Sequence, residues 1–245
     1  MKDLGSGKKI LGITIDRDRD VGTMRLSQEA YCHKMLKIFR MNESKSVTTP
    51  LVSHFKLSLE HAPQTDDERD QMQVVPYANV VGNLMYLMVC TISDLAHCLS
   101  VVSRYMADPE SYHWQAVEWI LRYIKGTVSY GLLYTKHLSN QEVLISFVDA
   151  DYATDKYKRR SLSSLVFKFF GNTVSWKSSL QSVVTLSTTE VEYMALTEAF
   201  KEVIWLNELA EEFHIFLKDD FVIFCDSQSA VFCQRIRPTM KKPSI

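Results

Sequence analysis

Three carboxylates stand where carboxylates can do chemistry. Asp149 closes the string Phe147-Val148-Asp149, Glu192 falls in Glu190-Val191-Glu192-Tyr193, and Asp226 closes Phe224-Cys225-Asp226. They are 43 and 34 residues apart along the chain. Acids at the ends of neighbouring strands, joined by one on a helix that crosses the sheet, can converge on one point. Converging carboxylates repel unless divalent cations neutralise them. Hard oxygen donors suit Mg²⁺ or Mn²⁺. Two such ions, roughly 3.5–4 Å apart, would activate a water and stabilise the leaving oxygen in phosphodiester hydrolysis. Each acid taken singly has an ordinary alternative. Asp226 precedes a helical pattern and could be its N-cap. Asp151 could serve a turn, and Glu190 is assigned to a helix cap rather than to the site.

Cations with nearby aromatics could hold a nucleic acid through its phosphates and bases. Lys156, Lys158, Arg159 and Arg160 form a basic run after the first acid, and Lys177 follows Trp176. Arg122 and Lys125 lie beside Trp119 and Tyr123. The plain alternative is a charged turn and a solvated helix face. Trp114, Trp119, Trp205 and the Met-rich stretch from Tyr77 to Cys90 read as core.

The elements that must position the acids are legible as a pattern. Val143 to Val148 reads as a strand, and two more runs, Leu165 to Phe170 and Thr173 to Trp176, flank the hairpin signal Gly171-Asn172. A long helix from about Thr188 to Phe213 opens with a capping box, in which Ser187 takes the Glu190 N–H and the Glu190 side chain reaches back. The run Phe221 to Cys225 is another strand, followed by a short helix from about Ser227. Residues 141–235 thus read β-β-β-α-β-α. The preceding part reads as a hairpin, Leu11 to Ile15 and Thr23 to Leu26 about Asp20-Val21-Gly22, then a helix capped by Ser27. An irregular connector over residues 44–70 precedes helices from Tyr77 to Cys90, from about Asp94, and between Pro109 and Gly126. The expected fold class is α+β or α/β, with domains at 1–135 and 141–245.

Composition bounds the reading. The 245 residues carry 28 Lys and Arg against 29 Asp and Glu, a formal net charge of -1, so any basic site must be local. Hydrophobic residues at 46% and charged residues at 23% exclude disorder as the general state. No run of about 18 apolar residues suggests a membrane span. The five cysteines, odd in number and set among apolar residues, indicate free thiols in an intracellular, reducing compartment rather than a disulfide framework.

Several strings occur together in one order: Val148-Asp149-Ala150-Asp151-Tyr152-Ala153, Arg159-Arg160-Ser161, Ser175-Trp176-Lys177-Ser178, Leu186-Ser187-Thr188-Thr189-Glu190, and Cys225-Asp226-Ser227-Gln228-Ser229-Ala230. At these residues the chain resembles the ribonuclease H domain of copia-type retrotransposon Pol polyproteins. Ile10-Leu11-Gly12-Ile13, Thr49-Pro50-Leu51, Val81-Gly82-Asn83-Leu84-Met85-Tyr86 and Trp119-Ile120-Leu121-Arg122-Tyr123-Ile124-Lys125-Gly126-Thr127 resemble the end of the reverse transcriptase, its thumb and its connecting helices. The resemblance implies a ribonuclease H-like mixed sheet with flanking helices. It implies catalytic, metal-holding roles for Asp149, Glu192 and Asp226, with two Mg²⁺ or Mn²⁺ ions, and an RNA–DNA hybrid as substrate. The chain also departs from the family. The paired-Asp string Tyr-Val-Asp-Asp does not occur in these residues, so DNA polymerisation is not expected of them. The fourth acidic ligand and the family's last strand and helix are expected to be missing. A catalytically inactive, truncated remnant that at most binds nucleic acid is the alternative.

Overall fold

The computed structural model describes residues 7–58, 63, 65–136, 143–155, 157–215 and 221–230. The fold is mixed α+β, with two four-stranded sheets, and the chain divides into two units, residues 1–137 and 138–245.

The first unit opens with β1 (Lys9–Ile10), β2 (Ile13–Asp18) and β3 (Thr23–Ser27), and β4 (Gly131–Thr135) returns to complete an antiparallel sheet in the order β1-β2-β3-β4. The β2–β3 turn is organised by Asp18, whose Oδ1 accepts the N–H groups of Asp20 and Val21 at 2.9 and 3.0 Å. At Gly131 the chain passes so close to β3 that a Cβ would stand 2.2 Å from the Leu26 carbonyl oxygen, so only glycine fits.

Five helices follow the hairpin: α1 (Glu29–Ile38), α2 (Asp66–Gln73), α3 (Tyr77–Cys90), α4 (Ala96–Val102) and α5 (Ser111–Gly126). Their core is built on Val80, Leu84 and Leu87 of α3, Leu99 of α4, and Ile120 and Leu121 of α5. Neither Ser27, the expected cap, nor Asp94, the expected helix start, caps a helix. Ser27 ends β3, and Gln28 takes the N-cap position with its side chain in the interior, where Oε1 accepts from Thr91 Oγ1 at 2.8 Å. Asp94 lies in a 3-10 turn and accepts the Tyr123 hydroxyl. The connector holds a helix that the sequence pattern missed, because α2 buries nothing and so shows no apolar stripe. Its signal is the box at Thr65, whose Oγ1 accepts from Glu68 N while Glu68 Oε2 accepts from Thr65 N, at 3.3 and 3.2 Å.

In the second unit β5 (Leu144–Asp155), β6 (Arg160–Phe169), β7 (Asn172–Leu180) and β8 (Phe221–Cys225) form a sheet in the order β7-β6-β5-β8. Three strands are an antiparallel meander, and β8 joins β5 in parallel. Between β7 and β8 runs α6 (Thr188–Glu212), which lays Val191, Ala195, Ala199, Val203, Leu206 and Ala210 at helical spacing onto the sheet. Leu144, Val148, Leu165 and Phe167 meet them. The β6–β7 turn centres on Phe170 and Gly171, both with positive φ (46° and 78°), one residue ahead of the expected Gly171-Asn172 pair. Ser187 caps α6 through Glu190 N at 3.2 Å, but the Glu190 carboxylate takes the N–H of Leu186, not of Ser187. Residues 228–230 are helical after β8, and the rest of that expected helix lies outside the described residues, with Cys233. Among the described residues no single helix is long and apolar enough to cross a membrane.

One core test follows from α3. Leu84 is 0% exposed and Val89 is 65% exposed on the same helix. Leu84→Ala is expected to cost about 2–5 kcal/mol in urea unfolding, and Val89→Ala no more than about 0.5 kcal/mol.

Candidate functional site

Val148 of β5 and Cys225 of β8 are the last partners of the parallel pairing, so Asp149 and Asp226 emerge next to each other at the same end of adjacent strands. Beyond this point β5 continues along β6, with Asp149 opposite Ser164, while β8 stops. Asp226 is not spent on a cap, because Ser227 Oγ accepts the Ala230 N–H at 3.3 Å instead. Glu192 comes from the first turns of α6, beside the buried Val191 that fixes the helix on the sheet.

The structure brings Glu192 and Asp226 together, and adds a residue that sequence reasoning passed over. A carboxylate oxygen of each and Cys225 Sγ lie within 4.8 Å of one another. The Cys225 thiol faces Glu192 Oε2 at 4.0 Å. Its signal was its place immediately before Asp226, in phase with the sheet face that α6 covers. Asp149 stands outside this close group. Side chains alternate along a strand. Leu144, Ser146 and Val148 are buried toward α6, whereas Phe147 and Asp149 are exposed. Phe147 stacks on Phe224 of β8 at 5.3 Å, which marks that second face.

Charge nonetheless couples all the acids. Burial pushes the Glu192 carboxyl up to about 7, and the negative charges of Asp226, Asp149 and Asp151 push the same way. Burial also raises the Cys225 thiol, opposed by a backbone hydrogen bond at Ser227 and reinforced by Glu192, Asp226 and Asp149. Cys225 therefore stays protonated at neutral pH, a soft and neutral neighbour, whereas the carboxylate oxygens are hard donors. Among the described residues, Glu192 and Asp226 supply the hard oxygen donors of this close group.

The expected cations separate into two kinds. Arg159 and Arg160 lie at the turn from β5 into β6, which Asp155 Oδ1 shapes by accepting the N–H groups of Tyr157 and Lys158 at 3.1 and 2.9 Å. Lys177 is exposed on β7 and pairs with Glu198 of α6 at 3.2 Å. Arg122 and Lys125 are engaged inside the first unit. Arg122 Nε donates to the Lys45 carbonyl at 2.7 Å, with its guanidinium 4.9 Å from the centre of the Trp119 ring. Lys125 Nζ donates to the Ser44 carbonyl at 2.5 Å, and Trp119 Nε1 to the Thr49 carbonyl at 2.9 Å. These side chains strap the irregular connector to α5.

The chain is similar to the retrovirus-related Pol polyprotein from transposon TNT 1-94 of Nicotiana tabacum, 46% identical over 231 residues, covering 94% of this chain and 17% of that one. It is similar to the retrovirus-related Pol polyprotein from transposon RE2 of Arabidopsis thaliana, 32% identical over 209 residues, covering 85% of this chain and 14% of that one. It is also similar to the secreted RxLR effector protein 161 of Plasmopara viticola, 47% identical over 135 residues, covering 55% of this chain and 94% of the effector. The chain thus spans less than a fifth of the length of the two Pol polyproteins. No family model matches it. No solved structure matches it.

The raised Glu192 carboxyl has a signed consequence for stability. The folded protein binds this proton more tightly than the unfolded chain, whose Glu titrates near 4.3. Folding is therefore relatively favoured below about pH 4.3, and the penalty grows as pH rises to about 7, where Glu192 ionises in the folded state. In chelator-treated buffer, Glu192→Gln is expected to raise the urea midpoint over the parent at pH 8 and to leave the two equal at pH 4. Parallel pH curves for the two proteins would contradict the assignment.

Proposed function

We propose, from the similarity of the chain to the retrovirus-related Pol polyproteins of transposons, that its second unit is a ribonuclease H-like domain of the copia type that hydrolyses the RNA strand of RNA–DNA hybrids. The first unit is then the C-terminal part of a reverse transcriptase, its hairpin with thumb and connecting helices, and no polymerase activity is ascribed to these residues. The observation that carries the reading is the convergence of Glu192 and Asp226 at the shared end of the parallel strands, with Asp149 next to Asp226 by register; burial first, and then the charges of Asp226, Asp149 and Asp151, raise the Glu192 carboxyl to about 7. The β-β-β-α-β order, with the last strand parallel to the first, supports it.

Asp149, Glu192 and Asp226 would hold Mg²⁺ or Mn²⁺. The donor set fits such an ion: hard oxygens, mutual repulsion that a cation relieves, and partial exposure that leaves room for water and substrate. When bound, two such ions supply activation of a water and stabilisation of the leaving oxygen. Arg159 and Arg160, in the turn that follows the Asp149 strand, would take the phosphates of the hybrid. Lys177 would join them only by giving up Glu198.

A second reading has its own support. With Asp149 outside the close group and a thiol inside it, the unit is also compatible with a catalytically inactive retroelement remnant that at most binds nucleic acid. One experiment separates the two. The purified 245-residue chain is incubated with a labelled RNA–DNA hybrid and Mg²⁺ or Mn²⁺. Cleavage of the RNA strand is expected, reduced about a hundredfold or more in Asp149→Asn and in Asp226→Asn. Binding that falls steeply with salt, without cleavage above the Asp149→Asn background, would establish the remnant.

A further inference from the structure

We propose that Ser161 is a positioning residue for the carboxylate site, tying the bulge of β5 beyond Asp149 to the approach of α6 that carries Glu192. The proposal rests on the metal-holding reading of that site and concerns the residues behind it.

The register of β5 against β6 jumps between Asp151 and Asp155: Asp151 pairs with Leu162, and the next pair is Asp155 with Arg160. Within the extra residues, Ala153 has φ +49°, a conformation that alanine adopts only when its surroundings impose it. What holds it is the Ser161 hydroxyl, whose Oγ accepts the Ala153 N–H at 3.0 Å. Ser161 is 0% exposed, and the same Oγ lies 3.2 Å from Thr185 Oγ1, on a residue that is 2% exposed. Thr185 stands two residues before Ser187, the N-cap of α6.

A second tie runs beside the first. Gln181 Nε2 donates to Ser163 Oγ and to the Val191 carbonyl, both at 2.9 Å. Ser163 pairs with Ala150, next to Asp149, and Val191 precedes Glu192. A buried layer of hydroxyl and amide groups thus sets the spacing between the strand of one acid and the helix of another. Gln181 Oε1 is buried without a hydrogen-bond partner in this layer. Hydrophobic residues would pack the sheet onto the helix, but their contacts fix no single distance. Directed hydrogen bonds do.

The test measures Mn²⁺ affinity of the full chain by titration calorimetry at pH 8, alongside thermal melts, for the parent, Ser161→Ala, Thr185→Val and Thr185→Ser. Ser161→Ala and Thr185→Val are expected to weaken Mn²⁺ about tenfold, the double variant no more than either single one, and Thr185→Ser to retain parental affinity. Should Ser161→Ala fail to fold, the near-isosteric Thr185→Val decides. Variants that melt lower yet bind Mn²⁺ as tightly as the parent would overturn the positioning role and leave the site reading standing. A parent that binds no Mn²⁺ would overturn both.

Discussion

The parallel pairing of β5 with β8 is the constraint on which the second unit depends. Parallel strands cannot be joined by a tight turn, so the chain must cross over, and here α6 makes the crossing. The crossing puts the C-terminal ends of the two strands side by side. Side chains that leave the ends of such strands meet in the crevice where sheet order changes sense. At β5 the order does reverse: β6 and β7 follow on one side, and the chain then returns to place β8 on the other. Asp149 and Asp226 occupy that place by register, and Glu192 joins them because α6 must begin its crossing nearby.

Packing then holds together what charge would drive apart. Val191, Ala195 and Ala199 are completely buried on either side of Glu192 in the sequence, and the small alanines let the helix lie close to the sheet. Glu192 cannot withdraw without lifting that apolar face. Burial first, and the neighbouring negative charges second, show as a carboxyl that holds its proton up to near neutrality. Cys225, neutral and half-buried, fills the side of the group nearest the core without adding to the charge.

Much of this was legible in short strings. The Ser187 cap of α6 and the Phe221–Cys225 strand are local features, and local chemistry sets them. The misses are non-local. β4 shows no alternation that would betray it, and its partner β3 is more than a hundred residues away. β5 runs to Asp155, well past the expected end at Val148, because β6 continues to pair with it and the bulge at Ala153 absorbs the irregularity. That extension places Asp149 inside a strand, out of phase with Val148, where a strand ending at 148 would have left its direction open. The sharing of the Ser161 hydroxyl between Ala153 and Thr185 has no sequence pattern at all.

The same distinction explains the cations. Arg122 and Lys125 on a helix beside Trp119 form the pattern of a nucleic-acid face, but an irregular segment packed on a helix must find donors for its carbonyls. Residues 44–49 find them in these very side chains. Long cationic side chains reach such carbonyls easily, and the Trp119 ring supports the Arg122 guanidinium from its face. Their basicity thus serves the connector. Arg159 and Arg160 occupy a different setting, a turn whose backbone N–H groups are already taken up by Asp155. This turn joins the strand that carries Asp149 to β6, which Arg160 opens.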